Sequence, residues 1–392
     1  MKILSVNAGS SSLKFTLFEM PEEKEVISGV FERIGIDNSF YTIKLNGEKI
    51  KKETTLNNHK EAFEILVKEL LDNNIIKDLQ EIKGIGHRIV QGGAFFKESA
   101  IATEENIKIV EELSTLAPLH NPAAVVGIKA AQETFKTAIQ TLAFDTAFHQ
   151  TIEPANYLYP VPYEWYTKYK IRRYGAHGTS HKYVALRVNE ILGRVDTKII
   201  TCHIGNGASI SAVKNGICIN TSMGLTPNAG LMMGTRCGDI DATIVTYIIK
   251  QTKMSADEIE NILNKKSGLL GISETSSDSR DIEDGIERGD EKCILAQEMY
   301  ERRIVDFIAR YYVELGGCDA IVFTAGVGER SPKTREDILK KLAVLGIKVD
   351  SERNNVRSKE ALITTDDSKV PAYVIPTNEE LMIASDTYNL IK

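Results

Sequence analysis

Ile3-Leu4-Ser5-Val6-Asn7-Ala8-Gly9-Ser10-Ser11-Ser12-Leu13-Lys14-Phe15-Thr16-Leu17-Phe18 stands close to the start of the chain. Its apolar, β-branched opening, small polar middle and alternating close predict two strands joined by a tight turn. Ala8, Gly9, Ser10, Ser11 and Ser12 have little side-chain bulk, so backbone N–H groups and hydroxyls can approach an anion closely, and Lys14 adds a point charge. Phosphate is the ligand such a hairpin suits. Taken alone, a Gly-Ser turn is more often only a turn.

Outward from this hairpin the same order of elements recurs. Lys198 to Ile204 reads as a strand, Gly205-Asn206-Gly207-Ala208-Ser209 as a small-residue turn, and Ile210 to Val213 as the returning strand. Each half also holds an apolar strand that ends at polar or small residues: Ile139 to Phe144 before Asp145, and Ala320 to Thr324 before Ala325-Gly326-Val327-Gly328-Glu329. Two such halves predict a duplicated α/β domain with a cleft between the copies. The segment Glu153 to Tyr174, rich in proline and tyrosine, reads as a crossover and puts the boundary near Ala147. The expected domains are residues 1–146 and 147–381, with a final helix, 382–392, returning to the first. Within the first half the pattern predicts strands at Lys24 to Val30 and Phe40 to Leu45, then a helix presenting Phe63, Leu66, Val67, Leu70 and Leu71 with Asn58 as its N-cap. A glycine-rich tract, Gly84 to Gly93, surrounds Arg88, and its glycines are expected to bend the backbone around whatever that arginine faces. It has neither a Rossmann nor a Walker spacing.

The bulk properties narrow the class. With 392 residues, 42% hydrophobic and 26% charged, the chain can bury two cores and has no composition of disorder. A net charge of −6 without a basic block leaves no footprint for nucleic acid. The five cysteines are scattered and never form a C-x-x-C pair, which argues against a disulfide framework or zinc site and for a reducing, cytoplasmic setting. No apolar run approaches membrane-spanning length, and the start of the chain lacks the pattern of a signal peptide.

Several separated motifs then occur in order: Val6-Asn7-Ala8-Gly9-Ser10-Ser11-Ser12-Leu13-Lys14, His87-Arg88-Ile89-Val90, Phe144-Asp145-Thr146-Ala147-Phe148-His149, Gly178-Thr179-Ser180-His181, His203-Ile204-Gly205-Asn206-Gly207, Thr221-Ser222-Met223-Gly224 and Gly234-Thr235-Arg236. Together they resemble the acetate kinase (acetokinase) family from end to end. The resemblance implies the two-domain actin-like ATPase fold shared with sugar kinases and heat-shock chaperones, an ATP cleft between the domains, Mg2+ or Mn2+ dependence, and a homodimer formed largely through the second domain. It also implies ATP and acetate as small-molecule substrates, with ADP and acetyl phosphate as products.

Carried over by position, the resemblance places the nucleotide against His203, Ile204, Gly205, Asn206 and Gly207, against Asp278, Ser279 and Arg280, and against Gly326, Val327, Gly328, Glu329 and Arg330. Ser10, Ser12 and Lys14 join them as phosphate groups from the hairpin. Glycine turns that admit a nucleotide make physical sense, and the Asp278 carboxylate could bond a ribose or base, although a lone Asp/Arg pair is more often a surface ion pair. Asn7 and Glu379 fall at the family's magnesium positions; one amide and one carboxylate suit a metal that keeps most of its waters. Composition alone does not choose Glu379 over Glu380. Arg88, Arg236, His177 and Asp145 match the acyl and phosphoryl site, where charge spread over phosphoryl oxygens calls for cations and donors. His177 and His181 have i, i+4 spacing, but without a Glu in an H-E-x-x-H arrangement a zinc site is discounted.

Asp145 is expected to orient an arginine or a metal-bound water. A carboxylic acid, with a pKa of about 4, is already ionised at neutral pH and needs no general base, whereas a sugar hydroxyl does. A sugar or polyol kinase and an ATPase switch are therefore the remoter alternatives, and a kinase of propionate or another short acid is the near one. Val90, Leu119, Ala176 and Pro227 match the family's small apolar acyl pocket. Ala176 stands where the family pattern has phenylalanine, which predicts room for longer acyl chains.

Overall fold

The computed structural model describes residues 1–118 and 120–392, so Leu119 of the expected acyl pocket lies outside the described residues. Two compact units emerge: Met1–Gln150 with Asn378–Lys392, and Thr151–Thr377.

In the first unit, β1 (Lys2–Ala8), β2 (Ser12–Glu19), β3 (Lys24–Glu32), β4 (Phe40–Leu45), β5 (Glu48–Glu53), β6 (Ile82–Ile89), β7 (Ala100–Ile101) and β8 (Ile139–Phe144) form one sheet in the order β5-β4-β3-β2-β1-β6-β8-β7. The opening hairpin forms as its sequence predicts, with Asn7 opposite Lys14 and the turn closed by Gly9 N–H donating to Ser12 O at 2.8 Å. β5, whose six residues Glu48–Glu53 are all exposed, gave no alternating signal to read. Helix His59–Asp72 is capped by Asn58, whose side chain accepts from Glu61 N–H. Its buried Phe63, Leu66 and Leu70 share a core with Leu4, Val6, Phe15 and other residues.

The C-terminal helix Glu379–Ile391 lies on β6, and this accounts for two glycines there. A Cβ on Gly84 would come within 2.6 Å of Ile391 Cδ1, and one on Gly86 within 2.5 Å of Ile383 Cγ2. These glycines admit a helix rather than bend a loop, which corrects the expectation for this tract. The turn comes later, at Gly93, whose φ is +59°.

The second unit holds β9 (Lys198–Ile204), β10 (Ala208–Lys214), β11 (Ile217–Thr221), β12 (Ala320–Thr324), β13 (Ala361–Leu362) and β14 (Ala372–Val374), in the order β11-β10-β9-β12-β14-β13. Behind the sheet runs helix Glu291–Leu315, started by the Asp290 side chain on two backbone N–H groups and ended at Gly316 with φ +66°. Its Tyr300, Ile304, Ile308 and Tyr311 are buried.

The two sheets share a topology. β3-β2-β1-β6-β8 and β11-β10-β9-β12-β14 have the same order and the same sense at each pairing, antiparallel up to the first strand and parallel beyond it. The chain is thus α/β with a duplicated, actin-like plan. One detail differs from the sequence expectation: β12 corresponds to β6, the Arg88 strand, not to β8. An apolar strand ending in small residues does not disclose its place in a sheet, because that is set by long-range pairing. Among the described residues all five cysteines are free thiols, and no helix is long and apolar enough to cross a membrane.

Candidate active site

In the first unit, Arg88 stands near the end of β6 and Asp145 directly follows β8, its neighbour. Arg88 donates through Nε to Asp145 Oδ1 at 3.0 Å and through Nη2 to Oδ2 at 2.7 Å. The carboxylate is only 1% exposed. This fork holds both oxygens of Asp145 in one plane with the guanidinium. Asp145, Glu379 and Glu380 all raise the proton affinity of Arg88, Asp145 most strongly.

Glu379 opens the C-terminal helix, and its Oε1 is shut off from solvent without a hydrogen-bond partner. Its pKa is pushed up to about 7: burial is the main cause, Asp145 and Glu380 add to it, and Arg88 and Lys14 oppose it. Lys14 itself is ion-paired with Glu380 and half exposed, so in this state its charge is engaged rather than waiting at the turn. Three carboxyl groups here share the cations Arg88 and Lys14, and Glu379, with its proton affinity raised mainly by burial, is only partly ionised at neutral pH. An orphaned, buried carboxyl oxygen is a group that a hydrated divalent cation, bound mostly through its own waters, would satisfy. Among the described residues no group of three or more His, Cys, Asp or Glu side chains could hold a metal.

The second unit contains a cavity of about 590 Å³. It brings together Gly205, Asn206, Asp278, Ser279, Arg280, Gly326, Val327 and Arg330 from the three tracts expected to hold nucleotide. A Cβ on Gly326 would meet no protein atom within 4 Å, so the missing side chain leaves that space to the cavity. The tract Ala325–Arg330 is a short helix rather than a glycine turn, because the Glu329 carboxylate accepts from Ala325 N–H at 2.9 Å and from Thr377 N–H at 3.1 Å. Glu329 therefore acts as a tie within the unit, and Gly328 is packed against Ile204 and Phe323. Asp278 caps helix Ser279–Glu287 and is gripped by Arg280 at 2.5 Å, which lowers its pKa to about 2. This Asp/Arg pair is the surface ion pair that its sequence also allowed.

Arg236 and His177 flank Gly207: an idealised Cβ there would lie 3.4 Å from Arg236 Nη1 and 3.6 Å from His177 Nε2. Arg236 donates to Pro227 O at 3.1 Å and contacts Met233 Sδ at 3.7 Å. Among the described residues it has no carboxylate partner, and burial lowers its proton affinity. His177 is not on the helix with His181; it is the N-cap of Gly178–Leu192, in the left-handed region at φ +57°. Its ring stacks on His203 with centroids 4.1 Å apart. Ala176 is 4% exposed and belongs to the buried cluster that includes Ile200, Cys202 and Met223. Val90 and Pro227 are half-buried, Ser10 is exposed and Ser12 half-buried.

Comparisons with known proteins now bear on this geometry. The description of the acetokinase family matches residues 2–385. The chain belongs to the acetokinase family. It is 52% identical over 399 residues to the acetate kinase of Thermotoga maritima, covering 100% of this chain and 99% of that one. It is also 52% identical over 393 residues to the acetate kinase of Bacillus subtilis, covering both chains fully. Among solved structures, Porphyromonas gingivalis acetate kinase matches with a TM-score of 0.95 at 45% identity, covering 100% of each chain. A Francisella tularensis propionate kinase matches at 0.94 and 42%, again covering 100% of each.

The structure adds residues that sequence reasoning passed over. Leu269, Glu283, Tyr300 and Arg357 also line the cavity. They come from separate helices and a loop, so no local motif announces them. Arg335, fully buried, donates to Gly328 O at 2.9 Å and to Asn354 O at 2.7 Å, fixing the floor under the Gly326 to Arg330 tract. Ser209 and Ser211 did carry a signal: two serines alternating with Ala208, Ile210 and Ala212 in a buried strand must find partners inside.

Proposed function

We propose that this acetokinase-family protein transfers the γ-phosphoryl group of ATP directly to the carboxylate of acetate, reversibly, giving acetyl phosphate and ADP. The observation that carries the reading is the Arg88–Asp145 fork. A carboxylate committed by both oxygens to a guanidinium is placed to orient that cation, and the acceptor here, already ionised, asks for no base. A hydroxyl acceptor would need Asp145 for proton removal, which is the reason to set sugar phosphorylation aside.

In this reading the nucleotide occupies the second unit's cavity, with phosphates towards Gly205 to Gly207, while Arg88, Arg236 and His177 neutralise charge on the acyl and phosphoryl oxygens. Asn7 and Glu379 would hold Mg2+ or Mn2+, which would supply positive charge to the phosphate oxygens. Ser10, Ser12 and Lys14 meet phosphate. Val90, Ala176 and Pro227 surround the acyl group. We place the enzyme in the cytoplasm as a homodimer joined through its second unit.

Propionate is the second reading. It is favoured by the small side chain at Ala176 and by likeness to a propionate kinase at 42% identity. One experiment tests both: trapping acyl phosphate as hydroxamate with ATP and acetate, propionate, butyrate or no acid. Acetyl hydroxamate is expected; ADP release without any acyl phosphate would refute the proposal. The Ala176→Phe variant should shift the kcat/KM ratio towards acetate, since each methylene in an apolar pocket is worth about 1–3 kcal/mol. Because the ratio is internal to each protein, it is insulated from the roughly 1–3 kcal/mol that overpacking a core costs. An unchanged ratio would remove Ala176 from the acyl pocket.

A further inference from the structure

A single serine hydroxyl in the second unit joins two histidines. Ser209 Oγ lies 2.9 Å from His177 Nδ1 and 2.7 Å from His181 Nε2, and His181 Nδ1 lies 2.7 Å from Thr201 Oγ1. Ser209, His181 and Thr201 are fully buried. A hydroxyl has one proton, so between two neutral imidazole nitrogens it donates to one and accepts from the other. The neutral tautomers of His177 and His181 are therefore coupled.

Two directions satisfy the chain. In the first, Thr201 donates to His181 Nδ1, His181 Nε2–H donates to Ser209, and Ser209 donates to His177 Nδ1, so His177 presents an Nε2–H. In the second every bond is reversed, Thr201 turns to Ser211 O at 3.4 Å, and His177 Nε2 carries no proton. The first direction gives up only that long contact. A phosphoryl oxygen offers only lone pairs, so a neutral donor requires the first direction. An imidazolium would also donate, but His177 shares its surroundings with the guanidinium of Arg236, across Gly207, and with the stacked His203 ring. A second positive charge beside Arg236 is disfavoured.

We propose that Ser209, backed by His181 and Thr201, is a positioning residue that holds His177 as a neutral Nε2–H donor to the transferring phosphoryl group. This rests on the phosphotransferase reading above. No covalent bond to phosphorus is made by the relay, which only sets the direction of its hydrogen bonds.

The test is ¹⁵N spectroscopy of histidine-labelled protein with Mg2+ and a non-hydrolysable ATP analogue at mildly alkaline pH, combined with steady-state kinetics. His177 should show a protonated Nε2 and a hydrogen-bonded, unprotonated Nδ1. Ser209→Ala and Thr201→Val should each mix in the other tautomer and lower kcat about five- to tenfold with KM values within about twofold, the size of one lost neutral hydrogen bond. Ser209→Thr, which keeps the hydroxyl, should recover most of the loss. An Nδ1–H tautomer at His177 in the parent protein overturns the relay, as does a parent-like tautomer and kcat in either folded variant. Absence of acyl phosphate from the parent protein would instead refute the functional reading, with the tautomer still judging the relay.

Discussion

Arg88 and Arg236 bring the same charge into different surroundings. Arg88 is bound by a buried carboxylate, whereas among the described residues the polar partners of Arg236 are a carbonyl and a thioether. A half-buried guanidinium with neutral partners keeps its charge for a ligand, because leaving it unpaired costs desolvation that only an anion offsets. Arg236→Ala is therefore expected to lower kcat by about 10³, the scale of arginine contacts in other phosphoryl transfers, while ATP binding survives. Arg236→Lys should recover little, since a point charge lacks the planar fork. Steady-state kinetics with an independent nucleotide-binding measurement checks both, and a variant with most of its turnover would show that Arg236 does not meet the transition state.

β6 shows how one element positions a site. Gly84, Gly86 and Arg88 alternate on one face, so the face that admits the C-terminal helix also carries the arginine, and Glu379 on that helix is brought to it. His87 points the other way, is buried, and meets Gln140 Oε1 through Nε2 at 2.7 Å. Burial lowers its pKa from 6.5 to about 4, against the opposing bond to Gln140. Below pH 6.5 the unfolded chain takes up a proton that the folded His87 refuses until about pH 4, so stability falls as pH falls across that window. At 1.36 kcal/mol per unit the loss is roughly 3 kcal/mol. Urea unfolding of the parent and of His87→Gln at the two ends of that window should differ by about this amount, with the variant less acid-sensitive; identical pH dependence would contradict the burial of a neutral imidazole.

At the scale of the whole molecule, the hairpins, the strands Ile139–Phe144 and Lys198–Ile204 and the duplication were legible because they are local patterns of period two punctuated by small residues. What was not legible depends on contacts distant in sequence: the pairing of β12 with β9, the purpose of Gly84 and Gly86, and the place of Tyr300 in the cavity that Gly326 also lines. That Asp145 orients an arginine or a metal-bound water was expected from the sequence, but that the arginine is Arg88, 57 residues away, held by both oxygens, could not be read there. Nor does Glu379 differ from Glu380 until one has an orphaned oxygen and the other an ion pair with Lys14.

In the proposed reaction a carboxylate oxygen attacks the γ-phosphorus while Asp145 serves Arg88 and removes no proton. Phosphorus NMR of the acetyl phosphate made from ATP and acetate labelled with ¹⁸O in both carboxyl oxygens tests it most directly. Direct attack should give an isotope shift from ¹⁸O in the bridge between carbon and phosphorus, with the nonbridging phosphoryl oxygens unlabelled. An unlabelled bridge, or ADP release with no acetyl phosphate, would contradict it.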